Sequence, residues 1–233
     1  MRLLVKFKKF GPAKYISHLD VQRAVRRALR RAEIPVQYSK GFNPHMQLSF
    51  ASPLPVGMES EGDYVEIALT KAVDSERALA RLGRHLPGGL TAVSAGALPE
   101  DCGKISAMLK RAAYGAVMYT TKFHTVEKAV DTLMRSESAV VETASKKGVK
   151  KIDIRPRIHS MNTKRDNYVM IDMVLGASAE TFLKPQTVLK EILRISALKA
   201  DCGIKRTALY FDDNGQIVTF DALMQDGAAV PVI

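Results

Sequence analysis

The chain has 233 residues, of which 46% are apolar and 25% are charged, and both fractions are ordinary for globular domains. It has neither an apolar run near the roughly 20 residues of a membrane-spanning helix nor the apolar centre of a signal peptide, so we expect a soluble, cytoplasmic protein with no membrane partner. The net charge of +11 is concentrated: residues 1–40 carry eleven Lys and Arg against two Asp and Glu, and residues 146–165 carry eight against one. Two basic segments on a mildly acidic remainder predict a localised surface for a polyanion.

The first hundred residues predict the order β-α-β-β-α-β. "RLLVKFKKF" alternates apolar and basic residues, which predicts a strand with one solvent-exposed face. A helix follows from about Ser17, which fits a capping box with Asp20. "IPVQY" predicts a second strand, interrupted by a Gly- and Pro-rich stretch, and "DYVEIAL" predicts a third. Asp74 caps a second helix, "SERALARLGRHL", and "LTAVSAGAL" predicts the fourth strand.

The rest of the chain repeats this order with one strand more than the scheme needs. Thr125 is predicted to cap the first helix of the repeat, and Pro185 lies in the first turn of the second. The predicted strands are "AYGAVMYTT", "AVVETAS", "IDIRPRI", "NYVMIDMVL" and "IKRTALYF". We therefore predict an α+β protein of two tandem ferredoxin-like domains, residues 1–100 and 110–213, followed by a C-terminal tail at 214–233 that adds an edge strand or is partly disordered.

The predicted first helix has one apolar face and one arginine face. At 100° per residue, the apolar face consists of Val21, Ala24, Val25, Ala28, Leu29 and Ala32. The opposite face consists of Arg23, Arg26, Arg27, Arg30 and Arg31. A solvated face usually mixes charges of both signs, whereas this one has no acid, and the planar guanidinium group suits phosphate. The pattern predicts a contact with a polyanion, with a purely solvated face as the alternative.

A second basic segment reads "KKGVKKIDIRPRIHS". Pro156 lacks an N–H group, so this strand is predicted to be bulged or to lie at a sheet edge. Its basic side chains could hold a phosphate backbone or could discourage edge-to-edge aggregation, and the sequence leaves both interpretations open. The candidate nucleic-acid contacts here are Lys147, Lys150, Lys151, Arg155 and Arg157.

A third candidate is the loop "YSKGFNPHMQLSF". Gly41 and Asn43 can adopt positive φ angles, and Pro44 stiffens the turn. Lys40 and His45 could reach phosphate, and three aromatic side chains could stack on bases: Tyr38, Phe42 and Phe50. The alternative places Phe42 and Phe50 in the core.

The segment "KYISHLD" places Lys14, Tyr15 and His18 at the start of the first helix, where they could cleave RNA by metal-free acid–base chemistry. In the alternative, Ser17 caps the helix, Tyr15 packs and His18 makes a local hydrogen bond. The sequence has no nucleotide-binding, zinc-protease or iron–sulfur motif, and its two cysteines, Cys102 and Cys202, lie 100 residues apart. We therefore expect no metal and no cofactor, assign no catalytic residue, and lean against an enzyme.

Four motifs carry a resemblance to a known family: "SHLD", "YSKGFNPH", "SFASPLPVG" and "DIRP". They resemble those of the bacterial radical SAM-linked proteins, domains of unknown function encoded beside, or fused to the C-terminus of, a cobalamin-type radical SAM protein. The resemblance implies a stand-alone partner of a radical SAM protein and carries over no catalytic residue.

The leading hypothesis is an RNA-binding accessory protein that presents tRNA or rRNA to a radical SAM partner. One alternative is a protein-interaction subunit of that enzyme with no RNA contact. Another is a metal-independent endoribonuclease, since the tandem fold resembles that of CRISPR repeat-associated proteins.

Overall fold

The computed structural model describes residues 1–145 and 148–224 and divides into two compact units. Unit 1 comprises Met1–Leu109 with the chain from Ala208 onward, and unit 2 comprises Lys110–Thr207. Helices combine with mostly antiparallel strands, as the α+β prediction requires. That each unit is a ferredoxin-like domain stays a prediction. Within the described ranges, no helix is long and apolar enough to cross a membrane.

Unit 1 contains strands in the order β4-β1-β3-β10, with β2 paired to β3 and β11 paired to β10. Helices α1 and α2 supply buried apolar residues to a core that strands β1 and β3 also line. Short 3-10 helices lie at Gly11–Tyr15 and Phe220–Leu223. The bounds are β1 Arg2–Lys9, α1 His18–Arg31, β2 Leu48–Phe50, β3 Glu59–Ala68, α2 Ser75–Gly83, β4 Leu90–Leu98, α3 Ile105–Met108, β10 Cys202–Asp213 and β11 Gln216–Thr219.

The second strand of unit 1 lies later in the chain than predicted. "IPVQY" supplies only two isolated bridges, from Val36 to Leu69 and from Tyr38 to Met46, and the paired strand is β2. The Gly- and Pro-rich stretch is therefore a loop that precedes the strand. The chain folds back on itself here, and the Gln47 N–H donates to the Gln37 carbonyl at 2.9 Å. This bond occupies a carbonyl group that a longer strand at "IPVQY" would need for its own pairing.

The face of β1 that was predicted to be exposed to solvent is largely covered. Leu4 is fully buried, and the C-terminal segment lies over this face. Asp221 Oδ2 accepts hydrogen bonds from Lys6 Nζ at 2.6 Å and from the Tyr64 hydroxyl at 2.8 Å. Met224 packs so close to Gly96 that a Cβ atom there would collide with it. The prediction was wrong because the covering residues lie more than 200 positions away.

The C-terminal segment that the sequence analysis called a tail is in part folded. Its β11 pairs with β10 as an edge strand, and Phe220 is fully buried in unit 1. Residues 225–233 lie outside the described part of the chain.

Unit 2 contains strands in the order β10-β5-β9-β8 and a separate two-stranded hairpin, β6-β7. The additional predicted strand, "AVVETAS", is β6 of this hairpin, and the predicted strand "IDIRPRI" combines the end of β7 with the start of β8. The bounds are β5 Leu109–Met118, α4 Phe123–Arg135, β6 Val140–Ser145, β7 Gly148–Asp153, β8 Ile158–Arg165, β9 Val169–Gly176 and α5 Pro185–Ser196.

Two local predictions for unit 2 were wrong. "IDIRPRI" is not one strand: β7 ends at Asp153, a 3-10 helix covers Arg155–Arg157, and β8 begins afterwards. The Asp153 carboxylate accepts the Arg155 N–H at 3.0 Å, and Pro156 has no N–H to donate to a sheet, so both end the strand. Helix α4 begins at Phe123, two residues before the predicted Thr125 cap, and no side chain caps it.

We expect Asp221→Ala to lower the free energy of unfolding by about 2 kcal/mol. The substitution leaves Lys6 and Tyr64 without their shared acceptor, and the partial exposure of Lys6 keeps the loss below that of a fully buried pair. Urea unfolding followed by circular dichroism measures the change. The control Asp131→Ala removes an exposed carboxylate, and an equal loss in both variants would contradict the expectation.

Stability should also fall at high pH because of Tyr64. Burial, followed by the nearby Asp221 carboxylate, raises the pKa of Tyr64 far above the 10.0 of an exposed tyrosine. Above about pH 10 the unfolded chain releases this proton and the folded chain retains it, so unfolding becomes easier by up to about 1.4 kcal/mol per pH unit. Unfolding curves between about pH 8 and about pH 11 should show a shallower decline for Tyr64→Phe. The exposed control Tyr119→Phe should keep the parent slope.

Candidate nucleic-acid interface

Helix α1 is held in a fixed rotational position by its first turn and its apolar face. Ser17 is the N-cap: its Oγ accepts the Asp20 N–H at 3.2 Å, and its hydroxyl donates to Asp20 Oδ2 at 2.7 Å. The predicted apolar face is buried in unit 1: Val21, Ala24, Val25, Ala28, Leu29 and Ala32. Successive residues of a helix are rotated by 100° about its axis, and the arginines lie opposite the buried residues. The arginine face is therefore directed away from the core.

The arginine face of α1 consists of Arg23, Arg26, Arg27, Arg30 and Arg31. Arg23 pairs with Asp20 at 2.9 Å, and Arg26 is half-buried. The other three are exposed. In the described ranges 1–145 and 148–224, no carboxylate oxygen lies within 4.0 Å of the guanidinium groups of Arg27, Arg30 or Arg31. These three charges are therefore not neutralised by an ion pair within the described chain.

Arg27 and Arg31 line a cleft of about 420 Å³ together with two residues that follow α2, Arg84 and His85. The remaining lining residues are Ala24, Leu86 and Pro87, so no acid contributes to it. A small cleft lined by three arginines is suited to an anion, since each guanidinium group can present a fork of N–H donors. Arg84 and His85 were not predicted from the sequence, because their place beside α1 depends on the packing of two helices that are separate in the chain.

The loop after α1 folds as a short hairpin-like turn. Ser39 N–H donates to the His45 carbonyl at 2.9 Å, and the Ser39 hydroxyl bonds His45 Nδ1 at 2.9 Å. Gly41 has a φ of +118°, which favours glycine, whereas Asn43 does not take the positive φ that the sequence allowed. The turn leaves Lys40 and Phe42 exposed, together with His45.

The aromatic residues of this loop have different environments. Phe42 is completely exposed, and Tyr38 is 43% exposed, so both are accessible to a stacked base. Phe50 instead packs edge-on against Phe7 at 6.0 Å and His18 at 5.2 Å between ring centroids. The core alternative thus describes Phe50 but not Phe42.

The candidate catalytic residues contact structural neighbours. Lys14 Nζ lies 3.8 Å from Glu59 Oε1 and 5.3 Å from the ring centroid of Tyr15, which is 67% exposed. His18 Nε2 lies 2.9 Å from the Gln22 side-chain nitrogen. Since an amide nitrogen only donates, His18 Nε2 is the acceptor here. The imidazole ring of His18 also packs nearly perpendicular to the ring of Phe50. These contacts describe a packed helix start.

The second basic segment, in unit 2, is largely bonded to the protein itself. Arg155 donates to the Met134 carbonyl at 2.9 and 3.1 Å, at the end of α4, where a cation is favoured. Arg157 donates to the Phe182 carbonyl at 3.1 Å, and Lys151 lies 3.8 Å from Glu142. Lys150 is exposed. Lys147 lies outside the described residues.

We expect Arg84→Ala to weaken binding of pyrophosphate to the cleft by about tenfold, because the loss of one charge-assisted hydrogen bond costs about 1.5 kcal/mol. Isothermal titration calorimetry measures it. Arg77→Ala removes the same charge from an exposed site on α2 outside this cleft and should bind like the parent. Equal binding by Arg84→Ala and the parent would show that the cleft is not the anion site.

In the described ranges 1–145 and 148–224, no group of three or more His, Cys, Asp and Glu could hold a metal ion.

Comparisons with known proteins place the chain in a family. No curated protein matches the sequence. A chain in the solved "Crystal Structure of a Cbf5-Nop10-Gar1 Complex" is similar at 10% identity and a TM-score of 0.48, over 96% of this chain and 50% of that chain, so the present chain spans about half its length. Residues 2–185 match the model of "Uncharacterized protein conserved in bacteria (DUF2344)", and the chain belongs to this bacterial family.

Proposed function

We propose that the protein binds RNA through unit 1 and acts as an accessory protein that presents tRNA or rRNA to a modifying enzyme. The observation that carries this proposal is the cleft between α1 and the end of α2. Arg27, Arg31 and Arg84 surround it without an acid in its lining. Arg30 extends the same charge along the exposed side of α1.

Phosphate is the ligand that these groups suit best. Each guanidinium can donate two parallel hydrogen bonds to a phosphate, and the bound anion would relieve the repulsion among neighbouring arginines. An RNA backbone supplies such phosphates at regular spacing and releases counterions when it binds.

The exposed loop supports RNA with unpaired bases as the ligand. Phe42 is fully exposed on a turn whose backbone is fixed by Ser39, His45 and Gly41. Sequence-specific RNA recognition commonly uses aromatic side chains that stack on bases in loops and single strands. Lys40 and His45 flank this ring and could contact the adjoining phosphates.

The enzyme we propose as the partner is a radical SAM protein, which rests on the resemblance of the "YSKGFNPH" and "SFASPLPVG" motifs. We also retain the ferredoxin-like interpretation of both units, supported by the β-α-β-β-α-β order of unit 1 and by the same order in unit 2 when the β6-β7 hairpin is left out. Co-purification of the two proteins after RNase treatment would support a protein–protein interface. Loss of the complex on RNase treatment would mean that RNA bridges them.

Charge reversal by Arg27→Glu with Arg30→Glu should weaken binding of bulk tRNA and flatten its salt dependence. The slope of log K against log salt is negative, and each lost phosphate contact reduces its magnitude by about 0.7–0.9. The loss of two contacts therefore reduces the magnitude by about 1.4–1.8. Filter binding across a salt series measures both quantities.

The matched control is Arg77→Glu with Arg135→Glu, which makes the same change in net charge at exposed sites away from the arginine face of α1. It should change affinity much less than the first pair. If both double variants lose the same affinity, the protein attracts RNA only through its net charge, and the arginine face has no special role.

A further inference from the structure

Strand β6 has an open edge within residues 1–145 and 148–224, where it pairs only with β7. The Ile154 N–H donates to the Ala139 carbonyl at 2.9 Å. Because hydrogen-bonded and non-bonded pairs alternate in antiparallel strands, this bond directs the backbone N–H and C=O groups of Val140 and Glu142 away from β7. Such groups are available to a further strand.

This open edge borders a groove of unit 2 that has a volume of about 710 Å³. Four consecutive residues of β6, 140–143, form one wall together with Ile152 of β7. Side chains of a strand alternate between its faces, so four consecutive residues line a groove when the strand presents its edge to it. The opposite wall contains Phe182, Leu183 and the start of α5.

The groove combines apolar walls with a basic rim. Val140 and Phe182 are 61% and 44% exposed, so both offer apolar surface to a ligand in the groove. Its cationic residues are Arg157, Lys184, Lys190 and Arg194.

The two acids of the lining are already paired. Glu142 lies 3.8 Å from Lys151, and Glu191 lies 2.6 Å from Arg194. In the described part of the chain, no carboxylate oxygen lies within 4.0 Å of the charged groups of Arg157, Lys184 or Lys190. Helix α5 also begins here without a side-chain cap, and its N-terminus favours negative charge. The groove therefore has an excess of positive charge.

We propose that this groove binds an extended acidic segment of a partner protein, which adds a strand to the open edge of β6. Backbone hydrogen bonds to Val140 and Glu142 would hold the segment, and alternate side chains would point toward the apolar wall and the basic rim. The phosphates of a nucleic acid fit this edge less well, since they only accept hydrogen bonds and cannot donate to the outward carbonyls of Val140 and Glu142. This site is independent of the RNA surface proposed for unit 1.

The test uses the full chain and two fluorescein-labelled decapeptides, one alternating Val with Glu and one alternating Val with Lys. Fluorescence anisotropy should show binding of the acidic peptide and at least about tenfold weaker binding of the basic one. Hydrogen exchange should slow at the Val140 and Glu142 amides when the acidic peptide is added. Equal binding of both peptides, or no binding, would overturn the proposal.

Two variants separate the charge from the strand edge. Lys184→Glu with Lys190→Glu should weaken binding of the acidic peptide at least about tenfold. The control, Lys128→Glu with Lys199→Glu, makes the same charge change at exposed sites outside the groove and should leave this binding unchanged. Val140→Pro removes the outward N–H at the first residue of β6 and should weaken binding with the rim charges intact. Retention of full affinity by either groove variant would overturn the proposal, as would oligouridylate displacing the peptide from the groove.

Discussion

The burial of one face of α1 is the constraint on which unit 1 depends. Val21, Val25 and Leu29 are each at most 3% exposed, and burying each of them contributes about 1.5–3 kcal/mol. Repulsion between arginines one turn apart costs only about 0.2–0.5 kcal/mol per pair. Packing therefore outweighs the repulsion, and the helix can present a face of like charge without losing its place in the core.

Features set by neighbouring residues were predictable from the sequence. The apolar face of α1, its Ser17 cap and the arginine face follow from local sequence, and the structure contains them with every arginine of that face exposed except the half-buried Arg26. Features set by distant residues were not. The face of β1 that was expected to be exposed is covered because Lys6 forms an ion pair with Asp221. No local pattern in "RLLVKFKKF" indicates that partner.

The candidate site likewise contains features that were predictable from neighbouring residues and features that depend on distant ones. The loop around Phe42 was recognisable from its glycine, proline and aromatic residues, since these set local backbone geometry. The contribution of Arg84 to the cleft required the packing of α2 beside α1, and the bonds of Arg155 to the Met134 carbonyl of α4 also join residues that are distant in sequence. Side chains of one type can thus serve either a ligand or the fold, and only their partners distinguish the two.

The distribution of acids favours a ligand for the arginine face. Two cations of β1 that support the fold have a carboxylate as partner: Arg2 pairs with Glu66 at 3.1 Å, and Lys6 pairs with Asp221 at 2.6 Å. Glu33 lies two residues beyond Arg31, yet it pairs with Arg81 of α2 at 2.9 Å. An acid close to the arginine face is thus directed away from it. Because neutralising that face would require only a local change, its unpaired charge supports the anion site that we propose there.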